Sequence, residues 1–433
     1  MTVSAGPKTP VEETRVALGR PLRVALLHGR EDTAQRGVTQ IALASAAEIV
    51  ARVRATDSRP FVEAAHALRE AKPDAVVIQA GSKDTAALAE LLEALRLGCG
   101  PQRPAPRIVA LVDPRLADAL RPHAGAFQFD RYPAASDLVG ALRDMRRAGS
   151  GDGVLRDALI EDGARALAAA TATNALAVDV SDRVTSLVLA RIDGRIEAAH
   201  LTPLGVGEGA DRIVARSGLD NVRRWLPWPI DAPALLERVF NRVRSQSPPP
   251  ATDAAILLEM ALAREAIAHA LRDATQAGFD IAAMRSASAI LVTGRAASLP
   301  RASQSLLVLV DGLEPTAVAT VFREPDDGRA ERIAMVVSVT AKRPAKIRFV
   351  QAAGRSTAKV TPGSFGFLAI DGDVDVAVSG AGVRGHGRSG MLGALVDARG
   401  RPLSLPERDG ERIPAISRWL AAVQATAAPG TAS

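Results

Sequence analysis

The stretch "ALAVDVSDRVTSLVLARIDG" (175–194) sets an aspartate near the end of an apolar strand, a short polar turn, and a hydroxyl residue at the head of a second strand. Residue types in this order could handle phosphate. A tight turn offers backbone N–H groups to phosphate oxygens, Asp179 could order a Mg²⁺ ion, and Thr185 could add a hydroxyl. The tip argues against that chemistry. Ser181 places a β-carbon where phosphate must come close, and the Asp182 carboxylate would face an anion. A positive φ at Ser181 would cost roughly 1–2 kcal/mol relative to glycine. The same residues also make an ordinary β-hairpin with a polar tip, Arg183 included.

Other motifs carry less. "GVRGHGRS" (382–389) has the outline of a phosphate loop with Arg388 in place of lysine, and "GAGVRG" (380–385) matches G-x-G-x-x-G. Either needs a helix after its strand, whereas "MLGALVDARGRPL" reads as strand and turn, so a flexible glycine loop is expected. Residues 341–361 hold Lys342, Arg343, Lys346, Arg348, Arg355 and Lys359 and no acid; with Arg384, His386 and Arg388 they could form an anion-binding face, or simply protect a strand edge. There is no G-x-S-x-G elbow and no H-E-x-x-H. The six histidines are scattered, with His66 and His269 expected on helix surfaces, and Cys99 reads as a small apolar residue. "RRWLPWPID" places Trp225 and Trp228 in a Pro-broken segment, either as a plug closing a lobe or as an anchor for another protein.

Composition bounds the rest. The 433 residues suffice for two or three domains, and 47% hydrophobic with 24% charged residues are globular values. With aromatics at 3%, the cores must be built from Ala, Val, Leu and Ile. One cysteine excludes an internal disulfide and a cysteine-based metal site. The net charge of +6 comes with 48 Arg against 6 Lys, a skew that reads as codon bias and argues against nucleic acid as a partner. No signal peptide and no membrane span is recognisable, so a cytoplasmic protein with no membrane partner is expected.

These residues need elements to hold them. Residues 1–20 and 426–433 read as tails. Strands "RVALLH", "DAVVIQAG" (74–81) and "RIVALVD" (107–113) alternate with helices over 60–72, 85–98 and 135–149, which predicts an α/β lobe over 21–172. "GSGDG" (149–153) could be a linker, followed by a helix over 154–171. A second lobe over 173–325 contains the hairpin, a long helix from Asp253 to about Gln276, a strand ending at Gly294 and a helix over 302–315. Short β-branched runs at turn spacing then predict a separate small β-rich domain over 326–425.

Five stretches, in order, resemble the glutamate mutase L family, accessory proteins of actin-like ATPase fold linked to adenosylcobalamin-dependent carbon-skeleton mutases. They are "ALREAKPDAVVIQAGSKDTAALAELLEALRL", "ALAVDVSDRVTSLVLA", "LGVGEGADRIVARSGLDNVRRWLPWPID", "ILVTGRAASLPRASQSLLVLVDGLEP" and "GRSGMLGALVDARGRPLSLP". The resemblance implies an α/β fold with two actin-like (ribonuclease H-like) lobes before the β-rich domain. It implies a nucleotide site with Asp179, Ser181, Asp182, Thr185, Gly205, Gly207 and Gly294, and Asp179 as the metal ligand. Its phosphate hairpin resembles D-[IV]-G-[GS]-x-T-T-[DK]. Asp179, Val180 and Thr185 match that pattern; Ser181, Asp182, Val184 and Ser186 depart from it. A terminal glycine pair appears here as Gly294-Arg295, and "RVALLHGREDTAQRG" lacks the aspartate of a first phosphate hairpin.

The expectation is therefore a degenerate actin-like accessory or scaffold protein without ATP hydrolysis, binding ATP and Mg²⁺ weakly if at all. Its partner would be another protein, such as a cobalamin-dependent mutase subunit, held through Trp225 and Trp228. Two alternatives stay open: a working ATPase or chaperone assisting such a mutase, and a nucleic-acid or anion-binding module in the basic C-terminal part.

Overall fold

The computed structural model describes residues 16–17, 20–56, 60–100, 102, 104–150, 154–244, 250–325, 329–352, 354–379 and 382–425. Nearly all of both expected tails, and most of the expected linker at 149–153, lie outside these residues. The fold is mixed α/β, and the chain divides into two compact units, Met1–Asp162 and Gly163–Ser433.

The first unit runs β1 (Val16–Ala17), β2 (Arg23–His28), α1 (Asp32–Ala44), β3 (Glu48–Arg54), α2 (Phe61–Ala71) and β4 (Ala75–Gln79). It continues with α3 (Thr85–Cys99), β5 (Arg107–Leu111), α4 (Pro114–Ala124), β6 (Phe129–Arg131), α5 (Ala135–Ala148) and β7 (Val154–Leu155). Helix α6 (Arg156–Thr171) carries the boundary between the units. Five strands form one sheet in the order β3-β2-β4-β5-β6. Leu27, Ile78 and Ile108 pack with Leu68, Leu88 and Leu120 on one face. Val24, Leu26 and Val77 pack with Val38, Ile41 and Leu138 on the other. Strands buried on both faces must read as continuous apolar runs, and these do. Every described strand pair of this unit is parallel. A hairpin-bearing actin-like lobe is thus not what 21–172 forms: a helix follows each sheet strand from β2 to β6, so the chain crosses over instead of turning back.

The second unit opens with an antiparallel meander of β8 (Ala175–Val180), β9 (Thr185–Ala190) and β10 (Ile196–Leu201). Helices α7 (Ala210–Ser217), α8 (Leu219–Arg223), α9 (Ala232–Arg244), α10 (Asp253–Ala277) and α11 (Ile281–Arg285) follow. Then come β11 (Ala289–Gly294), α12 (Ala302–Leu313) and β12 (Ala319–Glu324). Strand β11 lies parallel to both β8 and β12. Thr252 begins α10, its hydroxyl accepting from the Ala255 N–H at 3.3 Å, and left-handed Gly278 (φ 87°) ends it. Glu259, Arg264, Glu265 and His269 on α10 are all buried; His269 is therefore not on the helix surface expected for it.

The remaining elements are β13 (Glu331–Ser338), β14 (Ala345–Gln351), β15 (Gly354–Val360), β16 (Phe365–Leu368), β17 (Asp373–Val378), β18 (Arg384–Arg388), β19 (Ala394–Asp397) and α13 (Asp409–Ala425). They do not form a domain apart. The large sheet has the order β10-β9-β8-β11-β12-β13-β19-β16, so β13, β19 and β16 extend the hairpin's own sheet. Without β13, β12 would expose an open edge. The shift to short β-branched runs marks the entry of β13, which pairs antiparallel with β12 and parallel with β19 in the same sheet, not a domain boundary. A four-stranded antiparallel sheet, β15-β14-β17-β18, completes the unit. Its inward Ile347, Phe349, Val374 and Val376 share a core with Met335, Val337 and Val396 of the large sheet.

Candidate functional site

The β8–β9 turn and the loop after β10 bring together the residues expected at a phosphate site. Thr293, Asp179, Ser186 and His200 stand in one cross-strand row. The Thr293 hydroxyl donates to Asp179 Oδ1 at 2.8 Å, and His200 Nδ1 lies 2.8 Å from Ser186 Oγ. Asp179 is closed off from solvent, which leaves its carboxylate a member of a buried polar row. Thr185 is equally buried, and its hydroxyl donates to the Leu204 carbonyl at 2.6 Å. Among the described residues, no three of His, Cys, Asp and Glu gather as a metal site.

The tip closes on itself. Ser181 N–H donates to the Val184 carbonyl at 2.9 Å. The Ser181 hydroxyl donates to that carbonyl and accepts from Val184 N–H. Positive φ values lie elsewhere, so Ser181, Asp182 and Arg183 carry no left-handed strain. The glycine loop then packs on the tip: Val206 N–H donates to the Ser181 carbonyl, and Gly207 and Gly209 N–H both donate to the Asp182 carbonyl, at 3.0, 3.0 and 3.1 Å. A β-carbon on Gly205 would stand 2.4 Å from the Arg183 nitrogen. At this position the glycine is needed for contact between two pieces of backbone.

Side chains around the tip neutralise each other. Gly294 turns left-handed (φ 69°), and the next residue, Arg295, donates its N–H to the Val180 carbonyl at 2.7 Å. The Arg295 guanidinium lies 2.9 Å from Glu259 and 3.6 Å from Asp182. Arg242 also pairs with Glu259 and donates to the Val206 carbonyl at 3.1 Å. Arg183 pairs with Glu208, its Nε 2.9 Å from the carboxylate. Glu259, Arg242 and Glu208 have no counterpart in the phosphate-hairpin pattern. The signal for Glu259 was a charged residue inside the apolar run of a long helix.

The expected partner anchor divides. Trp225 is buried, its indole N–H donating to Glu265 at 2.9 Å, with the Arg264 guanidinium 4.9 Å above the ring. It plugs the unit and is not an exposed anchor, whereas Trp228 is half-buried. The segment "GHGRS" falls mostly within β18, with no helix after it, so the glycine-loop expectation gives way to a strand. Gly387 is buried there, and a β-carbon on it would lie 2.7 Å from the Met335 sulfur. Cys99 is buried, and burial pushes its thiol up to about 11.

In the first unit a cleft of about 540 Å³ opens beyond the ends of β2, β4, β5 and β6, lined by Glu31, Thr33, Gln79, Gly81, Asp113 and Arg131 among others. Open α/β sheets bind ligands at this edge, where the strand order reverses; here that point lies between β2 and β4. Asp113 is already engaged, accepting from Leu116 N–H at 2.9 Å to cap α4. Strand order, which no local pattern encodes, is what locates this cleft.

No known family's sequence profile matches the chain. No curated protein matches it either.

Proposed function

We propose that the chain is a degenerate actin-like accessory protein of the glutamate mutase L kind, a scaffold for another protein that does not hydrolyse ATP. The strand order β10-β9-β8-β11-β12 supports a ribonuclease H-like lobe in the second unit. The observation that carries the loss of hydrolysis is the engagement of the Val206, Gly207 and Gly209 N–H groups by the hairpin's own carbonyls. Phosphoryl transfer rests on positioning and charge stabilisation, which needs free donors and a placed metal ion. Arg295 and Arg183, the cations beside the tip, are paired with carboxylates.

Calorimetric titration with Mg²⁺-ATP, together with phosphate release compared against Asp179→Ala, tests this. The expected result is weak or absent binding and release equal to that of the variant. Release clearly above the variant would restore the ATPase reading. Co-purification with an adenosylcobalamin-dependent mutase subunit tests the partner separately, because that part of the reading rests on the resemblance alone.

A further inference from the structure

We propose that the outer face of the sheet β15-β14-β17-β18 docks the phosphate backbone of nucleic acid, a function beyond the scaffold reading and independent of it. Strand β14 alternates buried Ala345, Ile347 and Phe349 with exposed Lys346 and Arg348. Strand β15 adds exposed Arg355 and Lys359. Register sets Lys346 opposite Lys359 and places Arg348 in one row with Thr357, Ala377 and exposed Arg384. Five cations therefore share one face: Lys346 and Lys359 stand about 5 Å apart on neighbouring strands, Arg348 lies about 7 Å along β14 from Lys346, Arg384 is two strands across from Arg348, and Arg355 stands in the next row.

Nothing in the described structure neutralises them. Of the acids of this face, Asp375 stands in the same cross-strand row as Arg355, with Val350 between them, and lies 2.9 Å from His386; Asp373 stands one row further from Lys346 and lies 3.4 Å from Arg388. None of the five cations forms an ion pair with a described residue. Like charges placed directly opposite, as in Lys346 and Lys359, destabilise a bare sheet, and a bound polyanion reverses that penalty. Edge protection explains Arg355, Lys359 and Arg384 on the outer strands β15 and β18. It does not explain Lys346 and Arg348, which sit on an inner strand.

The chemistry of the centre selects the occupant. Protein interfaces centre on buried aromatic or large apolar anchors and keep charge at the rim. Here the row through the middle is Arg348, Thr357, Ala377 and Arg384, with charge at the centre and no aromatic. Contact is then with phosphates and independent of base sequence.

The test is fluorescence anisotropy of the full chain with a labelled DNA duplex of about 20 base pairs, across about 50–200 mM salt. The expected result is binding with a slope of log K against log[salt] of about −4, as for four to five neutralised phosphates. The double variant Lys346→Gln/Arg348→Gln should reduce that slope by about two and the affinity at least tenfold, with unchanged circular dichroism. Lys83→Gln/Arg115→Gln, exposed positions in the first unit, should bind as the parent does. No binding at the lowest salt, or equal loss in both double variants, overturns the proposal. Tighter binding to poly-glutamate than to the duplex, or binding only to phosphatidylserine vesicles, also overturns it by giving the face to an acidic protein or a membrane.

Discussion

Arg295, the residue after β11, holds its guanidinium 2.9 Å from Glu259 in the middle of α10 and 3.6 Å from Asp182 at the hairpin tip. One side chain thus ties the end of a strand, a buried helix and the β8–β9 turn into a single charge network. Arg242 joins it from α9 through the same Glu259 carboxylate. A position that the resemblance assigns to a glycine, open to a ligand, holds a cation committed to the protein itself.

Replacing Glu259 with glutamine should therefore destabilise the protein strongly. Glu259 is 2% exposed, and its loss as a charge leaves two guanidinium groups poorly compensated in the interior. Breaking a buried pair from one side costs about 3–5 kcal/mol. Urea unfolding of Glu259→Gln against the parent measures it. A change below about 1 kcal/mol would mean that water already solvates the network.

Arg399 carries the second such network. Its guanidinium lies 4.3 Å from the Phe365 ring and 4.5 Å from Trp419, and pairs with Asp311 at 2.7 Å and Asp397 at 2.8 Å. Burial opposes ionisation of Asp397, yet Arg399 and Arg401 hold its carboxyl below its ordinary value. The stability this gives is complete above about pH 4 and is lost as pH falls through the lower folded value. Arg399→Leu should cost about 3–5 kcal/mol near pH 7.5. That deficit should shrink as pH falls toward 5, because protonation relieves the carboxylates left without Arg399. Tryptophan fluorescence during denaturation provides the readout; a deficit that does not change with pH would contradict the assignment.

The legible part of the fold was what local pattern encodes. Strands β2, β4 and β5 announce themselves as apolar runs, and α3, α5 and α10 fall on the stretches expected as helices, 85–98, 135–149 and Asp253 to about Gln276. The hairpin of Asp179 and Thr185 was legible for the same reason. Partnership was not. That β13 joins β12 rather than starting a new domain depends on pairing between strands, and the same short alternating runs suit either sheet. Glu259, Arg242 and Arg295 lie far apart in sequence, and only the packing of α9 and α10 against the hairpin makes them neighbours. Trp225 in its Pro-broken segment reads as exposed or buried equally well until Glu265 is seen beneath it.

Burial of His269 gives the second unit a pH dependence. Its Nε2 lies 2.7 Å from the Ser217 hydroxyl, and burial, assisted by Arg272 and Arg216, lowers its pKa despite nearby Glu265 and Asp273. The unfolded chain then binds a proton more readily than the folded one. Stability from this group is complete above the unfolded value of about 6.5 and declines as pH falls below it. Lowering pH from about 7.5 to about 5.5 should reduce the unfolding midpoint, and His269→Gln should lessen that dependence. Equal slopes in parent and variant would assign the effect to another group, such as His28, whose pKa burial also lowers.

Gly205 offers a direct test of what the glycine loop is for. A β-carbon there would meet the Arg183 nitrogen and the Asp182 carbonyl carbon, both at 2.4 Å, and backbone cannot swing aside as a side-chain tip can. Overpacking of this kind costs about 1–3 kcal/mol, so Gly205→Ala should lower stability without any ligand present. Gly140, in the interior of α5, has open space where an alanine methyl would sit, with nothing within 4 Å. There alanine should stabilise by about 0.5–1 kcal/mol through helix propensity. Denaturant midpoints of both variants, read beside the parent, give the comparison. If Gly140→Ala stabilises as expected while Gly205→Ala leaves stability unchanged, the loop is not packed on the hairpin tip. Its N–H groups would then be free for an anion, and the reading of a self-occupied site would have to be abandoned.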